Sequence, residues 1–246
     1  MTATGSGYRA VLFDFGGTLF SYLPFRERFG DLLVRTAADH GVDLGVGEAT
    51  RAFRSSSAEV QQRYLNRTSY LHRDLFGDLG VAFVGQFGVP PREDLRERFY
   101  RGQTEVARPL IRARDEAVEV LESLRSLELH LGIVSNIDDD QFAELWALCE
   151  LDSWFDAITT SESAGSCKPD RGIFDLAMSR AGVERPEQVV FVGDSLHHDV
   201  AGASALGMTT VLIQEFGGEL AESSPQPTLV ANDLRALLPL LGVGSS

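Results

Sequence analysis

Two rhythms of apolar and polar positions run along this chain, and the places where one replaces the other divide it. Residues 9–15 contain a short apolar run, Val11-Leu12-Phe13, that meets Asp14 and then Gly16-Gly17. A run of that length stopped by glycine predicts a buried strand ending in a tight loop. From residue 22 the period lengthens: Phe25, Phe29, Leu32, Leu33, Thr36 and Ala37 recur at helical spacing, with Gly41 as the stop. Further helices are predicted over 47–65, 70–87 and 92–101, the last two separated by Pro90-Pro91. No strand pattern interrupts them up to about residue 105.

After Arg108, helix and strand alternate. Val118, Leu121 and Leu124 mark a helix face, followed by a strand over 129–134 that ends at Ser135-Asn136. Helices are then predicted over 141–151, 170–182, 199–206 and 232–241, and strands over 155–159, 188–192 and 209–213. Strands separated by helices imply right-handed crossovers and a parallel sheet. The expected fold class is α/β: a doubly wound parallel sheet, Rossmann-like, built from 1–21 and 106–246, with a smaller all-helical domain over 22–105. The polar start (1–8) and the tail (242–246) are expected to fray.

Composition narrows the partners. With 22 basic against 36 acidic residues the net charge is −14, a field that repels nucleic acid and anionic lipid. No apolar stretch approaches the roughly 18 residues of a membrane span, and no secretory pattern opens the chain. The two cysteines, Cys149 and Cys167, make no disulfide framework. A reduced, cytoplasmic protein is expected, with no nucleic acid or membrane partner. The oligomeric state stays open. Lys168 is the only lysine, the other basic residues being arginine. A GC-rich genome accounts for the arginines, and the exception suggests a position that needs a compact point charge rather than a planar fork.

Candidate chemistry sits at the strand ends. Asp14, Ser135 and Asp194 each end a predicted strand, and Lys168 opens the helix at Pro169-Asp170, proline favouring a first turn. Singly, Asp14 and Ser135 read as turn residues, Lys168 as surface charge and Asp194 as a cap. In a doubly wound sheet, however, those ends share one edge, where ligands bind. Two carboxylates, a hydroxyl and an ammonium then meet in one crevice.

Asp14-Phe15-Gly16-Gly17-Thr18-Leu19, Ile133-Val134-Ser135-Asn136, Lys168-Pro169-Asp170 and Val192-Gly193-Asp194-Ser195 with Asp199 resemble the four ordered motifs of the haloacid dehalogenase (HAD) superfamily. The likeness covers nearly all of the core from Arg9 to about Ile213, and the helical insert resembles the cap domain that many members carry after the first motif. It implies a Mg²⁺-dependent phosphatase in which Asp14 attacks phosphorus in line and forms an aspartyl-phosphate. The substrate would be a small phosphorylated molecule, with specificity residing in the insert. Mg²⁺ would take oxygens from Asp14, Asp194 and the Gly16 carbonyl, with Asp199 in an outer role. Ser135, Lys168 and the backbone N–H groups of Phe15, Gly16 and Asn136 would hold the phosphoryl oxygens.

The chain departs from the resemblance at one position. Most phosphatases of the superfamily have a second Asp two residues after the nucleophile, as general acid and base. Here that residue is Gly16. Such catalysis is worth about 10²–10⁴-fold. The loss leaves three outcomes: a leaving group that departs unprotonated, as from an acyl or glycosyl phosphate; a replacement acid such as water, Arg63, Tyr64, Tyr70 or His72; or a silent binding protein on the same fold. A 2-haloacid dehalogenase is disfavoured because Asp194 and Asp199 retain a cation site, and a phosphonatase because no cap lysine exists. Arg26, Arg28, Arg63 and Arg73 are read mainly as surface charge. His197-His198 is read as exposed polar residues, Cys167, Trp146 and Trp154 as packing, and Asp138-Asp139-Asp140 as a helix start.

Overall fold

The computed structural model describes residues 7–214 and 220–243. Most of the two predicted frayed ends, and the side chain of Arg26, lie outside the described residues. The strands are β1 (Ala10–Phe13), β2 (His130–Ser135), β3 (Ala157–Thr160), β4 (Val189–Gly193), β5 (Thr209–Ile213) and β6 (Leu229–Ala231). Helices α1 (Leu23–Ala38), α2 (Val46–Leu65), α3 (His72–Gly85), α4 (Leu95–Ala107) and α5 (Ala117–Ser126) come before the midpoint of the chain. They are followed by α6 (Asp139–Trp146), α7 (Ser161–Ala164), α8 (Arg171–Ala181), α9 (Ala201–Leu206) and α10 (Leu237–Leu240). No described helix is long and apolar enough to cross a membrane.

All six strands pair in parallel in the order β3-β2-β1-β4-β5-β6. β1 is buried at every position, as an inner strand covered on both faces must be. Phe174 and Ile173 of α8 pack with Leu12, Val134 and Phe191 into one apolar layer. On α5 the buried face is Ala117, Val120, Leu121 and Leu124, whereas Val118 is 47% exposed, so the face lies one position away from the reading that included Val118. β6 and α7 were not anticipated. Each is only a few residues long, too short for any period to register.

The chain forms two compact units, Tyr22–Ile111 with Ile137–Leu148, and the remainder. The helical unit therefore claims 106–111 and 137–148, which the sequence reading placed with the sheet. For 137–148, a buried carboxylate contributes, beside the Gln141–Thr104 hydrogen bond (2.9 Å) and the Arg108–Glu144 ion pair (3.1 Å). Asp138 stands at the N-cap of α6 but does not cap its own helix. Fully buried, it instead accepts the backbone N–H groups of His72 (2.7 Å) and Arg73 (2.9 Å) at the start of α3, and the Arg73 Nε (2.9 Å). A helix start offers orphan N–H donors and a positive dipole end, and the carboxylate satisfies both. Asp138→Ala is expected to cost about 1.5–3 kcal/mol, the range for hydrogen bonds to a charged group. Urea unfolding checks this, and a change under about 0.5 kcal/mol, the scale of an ordinary surface substitution, would show the cap to be dispensable.

The helical unit is cored by Leu33, Phe83, Phe99 and Leu79, with Phe29, Phe53 and Phe99 in edge or tilted ring contacts. Leu33 thus falls in the core, as the spacing implied, with Phe29 partly buried against it and Phe25 half-buried.

Candidate active site

The parallel register delivers the site. Phe13 pairs with Ile133 on one side and Val192 on the other, and the Asp14 N–H continues the ladder to the Val192 carbonyl at 2.8 Å. Carried one step further, that register sets Ser135 and Asp194 level with Phe15 on its two flanks. Strand tips at the carboxyl edge of an open sheet are where such folds hold ligands.

Lys168 is the centre of the arrangement. Its Nζ donates to Asp14 Oδ1 and to Asp199 Oδ1, both at 2.7 Å, and lies 5.5 Å from the centroid of the Phe191 ring. The side chains of Lys168 and Asp199 are 2% exposed and that of Asp14 10%. Burial alone would push the lysine pKa down, but the charges of Asp14 and then Asp199 outweigh it and hold the ammonium above its ordinary value. Three carboxylates, Asp14, Asp194 and Asp199, bring one oxygen each within 4.8 Å of one another. Asp194 reaches solvent, yet crowding by the protein, followed by the charges of Asp14 and Asp199, pushes its pKa up. Burial does the same for Asp199 against the pull of Lys168. One ammonium cannot neutralise three carboxylates, so the cluster is short of positive charge. A hard divalent cation with oxygen ligands fits that donor set.

The backbone explains why the carboxylates can gather. A Cβ on Gly17 would lie 2.1 Å from Asp194 Oδ2, and one on Gly193 would lie 2.3 Å from Asp199 Cγ. Both glycines are walls against which a carboxylate rests. Asp199 also accepts the Ser195 N–H at 2.9 Å, at the start of a π-helical turn spanning Leu196–Val200. π turns of this kind concentrate at functional sites.

Several predicted residues are placed differently from the sequence reading. Lys168 lies in the loop before α8 rather than opening it. Asp170 is the N-cap, its carboxylate accepting the Gly172 N–H at 3.0 Å and the Ser166 hydroxyl at 2.7 Å. The Asn136 side chain is spent on the Lys168 backbone, donating to its carbonyl (2.9 Å) and accepting its N–H (2.7 Å). The Asn136 amide therefore fixes the lysine loop, a role the sequence reading, which assigned its backbone N–H to an anion, did not include. Ser135 is buried at the end of β2, and Phe15 and Gly16 are buried in the loop after β1. Arg114, which carried no sequence signal, donates to the carbonyls of Thr18 (2.7 Å) and Gly17 (2.6 Å). Gly17 and Gly193 were legible only as turn residues.

Of the candidate replacement acids, Tyr64 donates its hydroxyl to Asp78 at 2.9 Å, and burial with that bond pushes its pKa up to about 12. A phenol so held is a poor proton donor near neutrality. Arg63 and Arg96 pair with the same Asp78. A cleft of about 630 Å³ in the helical unit is lined by Arg73, Arg96, Tyr100, Arg108, Asp140 and Glu144. Its arginines already face acids, Arg73 meeting Asp138 and Arg108 meeting Glu144. His198 is tied to Ser195 through its backbone N–H (3.1 Å), and Cys167 is buried.

The sequence model of the haloacid dehalogenase-like hydrolase family matches residues 8–207, and the chain belongs to that family of hydrolases. It is 27% identical over 216 residues to the glyceraldehyde 3-phosphate phosphatase of Methanothermobacter thermautotrophicus, covering 87% of this chain and 88% of the relative. It is 36% identical over 128 residues, about half of each chain, to haloacid dehalogenase-like hydrolase domain-containing protein 3 of Xenopus laevis. The crystal structure of a HAD phosphatase from Thermococcus onnurineus superimposes with a TM-score of 0.69 at 26% identity, over 97% of this chain and all of that one.

Proposed function

We propose that this hydrolase is a Mg²⁺-dependent phosphatase of small phosphorylated metabolites, that it works through an aspartyl-phosphate on Asp14, and that the helical unit is its cap domain. The observation that carries the reading is the Lys168 ammonium held at 2.7 Å between Asp14 and Asp199, beside a third carboxylate. A structural ion pair needs one carboxylate per ammonium, whereas this cluster is built to receive more positive charge. The phosphatase named among the relatives supports the same class.

Asp14, Asp194 and the Gly16 carbonyl would hold the cation, with Asp199 behind them. Bound there, Mg²⁺ supplies charge neutralisation between a carboxylate and a phosphate that otherwise repel. A carboxylate oxygen of Asp14 attacks phosphorus; the Oδ–P bond forms as the bond to the leaving oxygen breaks. Lys168 orients Asp14, and donates to the phosphoryl oxygens together with Ser135 and the backbone N–H groups of Phe15, Gly16 and Asn136. Water then attacks phosphorus, the P–Oδ bond breaks, and the water proton leaves on the phosphate. Because position 16 has no side chain, the leaving group departs unprotonated or takes its proton from a group other than residue 16, water among them.

The deciding experiment is a panel of phosphate esters, acyl phosphates and sugar phosphates assayed with Mg²⁺, with EDTA, and with Asp14→Asn. Turnover is expected on some members, lost with EDTA and reduced by about 10⁴-fold or more in the variant, the scale seen when an enzyme nucleophile is removed. Turnover that survives Asp14→Asn refutes the covalent route. No turnover across the panel would leave a binding protein on a hydrolase fold.

A further inference from the structure

The loop after β1 has an unusual weakness. Gly16 and Gly17 are consecutive, and Gly17 sits at φ +80°. Two adjacent glycines make the intervening peptide free to rotate, because neither carries a Cβ to restrict it. Yet the Gly17 α-carbon is the surface on which the Asp194 carboxylate rests. A wandering loop would displace that carboxylate, and with it the cluster.

One residue removes the freedom. Arg114 donates from Nε to the Thr18 carbonyl (2.7 Å), from its terminal guanidinium nitrogen to the Gly17 carbonyl (2.6 Å), and from its backbone N–H to the Leu19 carbonyl (2.9 Å). Three consecutive carbonyls of the loop are thus taken by a single residue. The brace is itself anchored, since the Arg114 carbonyl accepts the Ala117 N–H at 2.9 Å in the turn that leads into α5. The loop is closed on its other side by the Leu19 N–H to the Phe15 carbonyl at 3.0 Å. A planar guanidinium meets two successive carbonyls from two nitrogens held in a fixed fork, a geometry that the single nitrogen of an ammonium does not reproduce.

We propose that Arg114 is a positioning residue for the cation site: it stiffens the Gly16-Gly17 loop and so sets where Asp194, and the Gly16 carbonyl, stand. This rests on the cation-site reading above. Arg114 touches neither substrate nor cation; it acts through the backbone.

The test measures Mg²⁺ binding itself, by calorimetry on the full chain, alongside melting without Mg²⁺. Arg114→Met is expected to weaken Mg²⁺ binding by about 10–100-fold, the usual effect of losing a group that orients a ligand. Added guanidinium at low millimolar concentration should restore part of the affinity to Arg114→Ala, and sodium chloride at equal ionic strength should not. In Arg114→Lys, which keeps the charge but not the fork, the affinity should fall between the two. Unchanged Mg²⁺ affinity in Arg114→Met, with only a lower melting temperature, would reduce the residue to ordinary structural support. If Arg114→Met does not fold, Arg114→Lys decides: wild-type affinity overturns the proposal. If the native chain binds Mg²⁺ but hydrolyses nothing, the phosphatase reading fails while Arg114 is still judged by the affinities. If the native chain binds no Mg²⁺, both fail.

Discussion

Replacing Lys168 with methionine is expected to cost both fold and chemistry. The side chain volume is roughly kept, so the loss isolates the charge. Asp14 and Asp199 would be left buried without their shared cation, and breaking a buried pair in this way costs about 3–5 kcal/mol. Turnover should fall by about 10²–10³-fold or more, because a donor aimed at the transition-state oxygens goes with the charge. The two effects are separable: Mg²⁺ should recover part of the stability by supplying positive charge to the same carboxylates, but not the turnover. Since Lys168 is the only lysine in the chain, ¹⁵N labelling of lysine should give one side-chain ammonium resonance. Its pKa is raised in the folded protein, so the ion pair stabilises the fold throughout the range below lysine's ordinary value. That contribution is lost progressively as pH climbs from lysine's ordinary value through the raised one. A resonance that titrates at or below the ordinary lysine pKa would contradict the arrangement. So would a Lys168→Met variant as stable as the parent.

Gly17→Ala should separate the cation site from the fold in the opposite sense. At φ +80° an added Cβ costs about 1–2 kcal/mol in backbone strain. The methyl would also occupy the position of Asp194 Oδ2, 2.1 Å away. Asp194 is solvent-exposed, so an outward shift of its carboxylate meets water, and the chain should fold with only that modest loss. The displaced carboxylate can no longer close on a cation, and Mg²⁺ affinity should drop by at least about tenfold, the low end of the effect of disturbing a ligand's support. Calorimetry together with thermal melting distinguishes the cases. Native Mg²⁺ affinity in Gly17→Ala would mean that Asp194 is not a ligand, or that the loop yields without consequence. Gly193→Ala makes a harsher comparison: its Cβ would meet the fully buried Asp199, which has nowhere to go, and stability should suffer more.

Much of this molecule was legible in the chain as written, for reasons that follow from local physics. The apolar run ending at Asp14 had to be an inner strand, because only a strand covered on both faces is apolar at consecutive positions. Strand–helix alternation after Arg108 left a parallel sheet as the natural solution, and parallel strands place their carboxyl ends on one edge. Hence Asp14, Ser135, Lys168 and Asp194 could be grouped from the sequence alone.

What the sequence could not express were interactions whose partners are far apart along it. Nothing near Asp138 shows that its carboxylate serves the start of α3, 65 and 66 residues away, and so helps tie 137–148 to the helical unit. Arg114 looks like any other arginine until Gly17 and Thr18, 97 and 96 residues earlier, turn their carbonyls to it. The Asn136 backbone N–H read as a donor to an anion, and nothing local showed that its side-chain amide spans both polar groups of the Lys168 backbone. Periodicity and strand-end chemistry are written residue by residue, so the sequence alone determined the elements and the reactive groups. Which donor meets which acceptor depends on loops closed over tens of residues, and that was decided only when the tertiary structure brought them within 3 Å.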